Sequence, residues 1–154
     1  MHDPLCSLIR EAFAGVKLGD GVGLQQAQGL DDYEDDATCA RYRENDEKDD
    51  WSRIPVGELN RCNSSLSFFD AEGMRFHLPA YLIADLQGAY KFGMAFCLTH
   101  LSDLRTSQFA LLSEPQRSAV RAFLLHIAED PGYEFERPHI IRALEDYWKA
   151  PHSI

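Results

Sequence analysis

Leu66-Ser67-Phe68-Phe69-Asp70-Ala71-Glu72-Gly73-Met74-Arg75-Phe76-His77-Leu78 decides the fold. Apolar and polar residues alternate on both sides of Asp70-Ala71-Glu72-Gly73, the pattern of two strands joined by a tight loop. Loop length sets the register. A two-residue loop leaves both faces mixed, whereas a three-residue loop with Gly73 as a left-handed bulge residue pairs Phe68 with Phe76 and Leu66 with Leu78. On that register Leu66, Phe68, Met74, Phe76 and Leu78 face the core. Ser67, Phe69, Arg75 and His77 form the outer face, with Ser67 opposite His77. The expectation is therefore an α+β fold: one mainly helical domain over 1–154, of about five or six helices, around a central antiparallel β-hairpin at 66–78.

The flanks read as helices. Leu5, Leu8, Ile9, Ala12 and Phe13 recur at helical spacing behind Asp3-Pro4, a cap followed by a first-turn proline. Four glycines in 15–23 stop that helix, and no Gly-Lys-Ser/Thr follows to make the segment a phosphate loop. Residues 24–50 suit one short and one charged helix, with Tyr33, Ala37, Ala40 and Arg41 along one edge. Trp51 and Ile54 are core anchors before a short helix at Pro55 that ends near Cys62. Pro79 opens a helix reaching about Ala89, and residues 90–104 fit helix or strand. Ser113-Glu114-Pro115-Gln116 is a capping box, followed by the stripe Ala119, Val120, Phe123, Leu124, Ile127 and Ala128. A last helix, 138–149, buries Ile140, Ile141, Leu144, Tyr147 and Trp148.

The net charge of −10 is concentrated: residues 31–50 hold ten acids against three bases, giving −7. Such a field repels phosphate backbones and favours a basic protein partner, with Asp35, Asp36, Asp46, Glu47, Asp49 and Asp50 as the partner-binding residues; the alternative is a solvated helix face that only aids solubility. No apolar run approaches the roughly 20 residues of a membrane span, and Met1-His2-Asp3-Pro4 lacks the basic and apolar regions of a secretion signal, so a cytoplasmic location is expected. Cys6, Cys39, Cys62 and Cys97 are too far apart for paired zinc ligands and are expected to be reduced and mostly buried.

Chemistry-bearing motifs are sparse. The six histidines, His2 and His152 among them, are dispersed. His126 and Glu129 share a helical face without the second such pair that a di-iron site requires, and no acidic loop has calcium spacing. Ser67 opposite His77 lacks an orienting third group. No catalytic residue, metal or cofactor is assigned.

Trp51-x-x-Ile54-Pro55, then Ser65-x-x-Phe68-x-Asp70-x-x-Gly73-Met74-Arg75-Phe76-x-Leu78-Pro79-Ala80-Tyr81-Leu82, resembles an uncharacterised bacterial domain family of unknown function. The likeness extends to Gly21-Val22-Gly23-Leu24 and to Phe109-x-Leu111-Leu112-x-x-x-Gln116. It covers most of the chain and implies neither a catalytic residue nor a substrate. The functional expectation is a non-enzymatic acidic binding protein, for example an immunity protein that neutralises a cognate toxin. A small enzyme with its site on the outer hairpin face, and an accessory or homodimeric subunit, are the alternatives.

Overall fold

A computed structural model describes residues 3–150. Nine α-helices and three short 3-10 turns make up its regular structure, and no strand occurs among the described residues. The hairpin at 66–78 is absent, which corrects the α+β expectation: the fold is all-helical. His2 and His152 lie outside the described residues.

The first helix, α1 (Pro4–Ala12), starts as its sequence dictates, with the Asp3 carboxylate accepting from Leu5 N at 2.9 Å. After the glycine-rich loop come α2 (Leu24–Asp31) and α3 (Asp36–Asn45), packed on each other as a helical hairpin. A 3-10 turn at Trp51–Arg53 leads into α4 (Val56–Arg61), and a second at Asn63–Ser67 leads into α5 (Ala71–Leu86). Trp51 and Ile54 are buried as expected, and Trp51 Nε1 donates to Phe13 O at 2.9 Å. The run left open between helix and strand contains α6 (Ala95–Thr99) and the start of α7 (Asp103–Gln108). Both halves of the Ser113–Gln116 capping box form and open α8 (Glu114–Ala128). The last helix is α9 (Arg137–Asp146), which buries Ile140 and Leu144 but leaves Ile141 exposed.

The central element is α5, against which α1, α4, α7 and the turn at Trp51 pack. From Met74 to Ala84 every side chain except the half-buried Arg75 is buried, so the helix is surrounded and has no polar stripe to reveal its period. Asp70 is its N-cap, accepting from Gly73 N at 2.8 Å, and the same oxygen accepts from Val22 N at 3.0 Å. Gly73 has no positive φ. It is required for another reason: a Cβ there would lie 2.6 Å from Val22 O. The glycine expected to turn a hairpin instead lets the glycine-rich loop cross the first turn of a helix. Pro79 sits inside α5, where it cannot donate to Arg75 O, a defect of about 3 kcal/mol in an isolated helix that burial on every side overrides.

The burial expected of the hairpin changes accordingly. Leu66, Met74, Phe76 and Leu78 are buried and Ser67 is exposed, but Phe68 is 39% exposed while Phe69 and His77 are buried. His77 does not face Ser67; its ring stacks on Phe69 with centroids 4.4 Å apart and planes 2° from parallel. The site imagined on an outer hairpin face does not exist. Near the C-terminal end, Trp148 is buried with Nε1 donating to Leu98 O at 2.9 Å, and Arg117 and Arg121 donate to the carbonyls of Tyr147 and Trp148. No helix among the described residues is long and apolar enough to cross a membrane.

Candidate partner-binding surface

The acidic window folds as α2, α3 and the segment leading to Trp51. Its construction explains which acids carry the fold. Gly23, the N-cap of α2, has no side chain to satisfy the first-turn amides. Asp46 supplies the missing acceptor from beyond α3: Oδ1 accepts from Gln25 N at 2.8 Å and Oδ2 from Gln26 N at 3.1 Å. Only glycine fits at position 23, because a Cβ would collide with that carboxylate. Asp46 is 7% exposed, and burial raises its pKa against the lowering pull of the two amides and Lys48.

Other expected partner-binding acids are also engaged locally. Asp35 caps α3 by accepting from Thr38 N at 2.8 Å, and Asp50 accepts from Ser52 N and Oγ at 3.0 and 2.6 Å; these hydrogen bonds hold both carboxyls below the ordinary range. Glu47 accepts from the amides of Asp49 and Asp50. Asp36 and Asp49 are exposed. The six residues are thus neighbours along one helical hairpin and its exit, with Asp46 inside it and the others at its surface.

The three bases in the window offset only part of its acidic charge, and among the described residues none forms an ion pair within 4.0 Å with its acids. Arg43 donates to the carbonyls of Gly19 and Gly21, and Lys48 to those of Glu44 and Asp46. Among the described residues the one ion pair within 4.0 Å is Arg61–Glu58, outside the window. A shallow groove of about 620 Å³ between α2 and α3 is lined by Leu30, Asp36, Cys39, Arg43 and Glu44, among others.

At the tip of the hairpin stands Tyr33, which is 94% exposed and has φ 58°. It occupies the position after the C-cap of α2, where Tyr33 N bonds to Leu30 O and Glu34 N to Gly29 O. That is a Schellman ending, for which glycine is the favoured residue. The left-handed conformation costs a side chain about 1–2 kcal/mol. Periodicity could not locate Tyr33, since it mimics a helical edge with Ala37 and Ala40; the signal present in sequence is its position between Asp31-Asp32 and Glu34-Asp35-Asp36.

The thiols are spent on packing. All four cysteines are free and buried, and burial pushes the Cys97 thiol up to about 11. Among the described residues no three His, Cys, Asp or Glu side chains converge as a metal-ligand set. A family model described as "Family of unknown function (DUF6714)" matches residues 1–152, and the chain belongs to that family. No curated protein and no solved structure matches it.

Proposed function

We propose that this member of the DUF6714 family is a non-enzymatic binding protein whose acidic helical hairpin engages a basic protein partner, as an immunity protein engages the toxin it neutralises. The observation that carries the reading is Tyr33: an almost fully exposed aromatic held in a backbone conformation suited to glycine, at the tip of a hairpin whose acids, among the described residues, have no ion-pair partner within 4.0 Å. Backbone strain of this kind persists where something offsets it, and an exposed tyrosine that makes no core contact contributes nothing to folding in exchange. Tyrosine is enriched in the buried centres of interfaces, and a surrounding field of one sign accelerates encounter with a partner of the other.

The test is capture of partners from lysate at low salt by immobilised protein, comparing the natural chain with Tyr33→Gly and with Asp36→Lys/Asp49→Lys. Asp46 is left intact, since its carboxylate caps α2. A basic protein recovered by the natural chain, released by salt and lost with both variants is the expected result. Tyr33→Gly should also raise the urea midpoint, by up to about 1 kcal/mol in stability, so that lost binding cannot be attributed to unfolding. Equal recovery by all three proteins would sink the proposal.

A further inference from the structure

A second concavity, of about 350 Å³, opens between α6, the turn at Pro131–Tyr133 and the start of α9. Its lining is aromatic to an unusual degree for a surface: Phe92, Phe96 and Phe135 are 61%, 67% and 90% exposed, and Tyr133, His100 and His139 join them. The rings form a continuous row, Phe96 stacked on His100 at 4.0 Å between centroids and His100 against His139 at 5.1 Å. Among the described residues no lysine or arginine lines the site, and Glu136 is its one acidic residue. Behind it, the Tyr133 hydroxyl donates toward both oxygens of Asp85, at 3.3 and 3.5 Å. Asp85 also accepts from Met94 N at 2.9 Å and, among the described residues, has no cation within 4.0 Å.

Purely apolar occupants would fill such a wall of rings but would leave the Glu136 carboxylate at its edge uncompensated. A soft cation answers both features, because ring faces are negative and attract ammonium groups that are weakly hydrated. We propose that this pocket binds an organic cation, specifically an alkylated ammonium head group, seated against Phe96 and Phe135 with Glu136 at the rim. The proposal is independent of the acidic hairpin and stands or falls without it.

The experiment is titration of the ¹⁵N-labelled full chain, in mildly alkaline buffer, with tetramethylammonium chloride and with tert-butanol as the uncharged isostere. Saturable shifts of the Gly93, Phe96 and Glu136 amides with the cation, absent with the alcohol, are expected. Phe135→Ala should weaken binding about tenfold; Phe135 is so exposed that folding does not depend on it. Choline and a peptide carrying trimethyllysine then separate the sources, the tighter of the two marking a free metabolite or a protein-borne group. No shift with the cation, equal shifts with the alcohol, or unchanged affinity in Phe135→Ala would overturn the assignment.

Discussion

Replacing His77 with phenylalanine should remove most of the protein's loss of stability in mild acid. His77 is wholly buried, flanked by the stacked ring of Phe69 and by Phe76 edge-on at 5.0 Å. Its Nδ1 lies 2.7 Å from Gly73 O and therefore carries the proton of the neutral ring, while Nε2 is buried with no partner. Protonation would place a second N–H where nothing accepts it, and burial lowers the pKa from 6.5 to about 4. The sign follows directly. As pH falls below about 6.5 the unfolded chain takes up a proton that the native state refuses until about pH 4, so stability declines across that window and no further below it. The full loss is about 3 kcal/mol, and by about pH 5 some 2 kcal/mol has gone. Phenylalanine keeps the stacking, gives up one hydrogen bond and removes an orphaned buried nitrogen, so stability at neutral pH should change by no more than about 1 kcal/mol. Urea denaturation of both proteins from about pH 7.5 to 4 measures the difference. Carboxylates such as Asp46 and Asp85, whose raised pKa values favour the native state in acid, act equally on both curves and cancel. Curves that run parallel would refute the reasoning.

Two further substitutions probe the joints of the fold. Asp46→Ala leaves the Gln25 and Gln26 amides of α2 without their acceptor and should cost about 2 kcal/mol, read as a lower urea midpoint with unchanged slope. Gly73→Ala should destabilise by about 2 kcal/mol or more because its Cβ meets Val22 O, whereas Gly57→Ala in α4, with nothing within 4 Å, should stabilise by about 0.5–1 kcal/mol; the same thermal melts test both signs.

What was legible in sequence was local. Asp3-Pro4 and the Ser113–Gln116 box define helix starts through side chains that bond within three residues of themselves, so α1 and α8 were readable, as were the core anchors Trp51 and Ile54. The 66–78 segment failed because each of its cues had a non-local meaning. Alternating apolar residues arose from a helix buried all round, Gly73 answered the chain crossing at Val22, and Pro79 was tolerated mid-helix by its surroundings. The acidic window was visible as charge, but the separation of Asp46, buried as a cap, from exposed Asp36 and Asp49 depends on where residue 46 returns after α3. The aromatic pocket draws on residues from 92 to 139 and has no local signature.

The shared carboxylate of Asp70 has a consequence for how the molecule opens. One oxygen serves the Gly73 amide inside α5 and the Val22 amide at the entrance to α2; the first bond is local to the helix, and the second forms only when the glycine-rich loop is docked. Fraying of the central helix at its first turn therefore takes away the acceptor that holds the root of the acidic hairpin, which couples local opening at the two places. The acidic hairpin is thereby tied at its root to the most deeply buried helix in the protein.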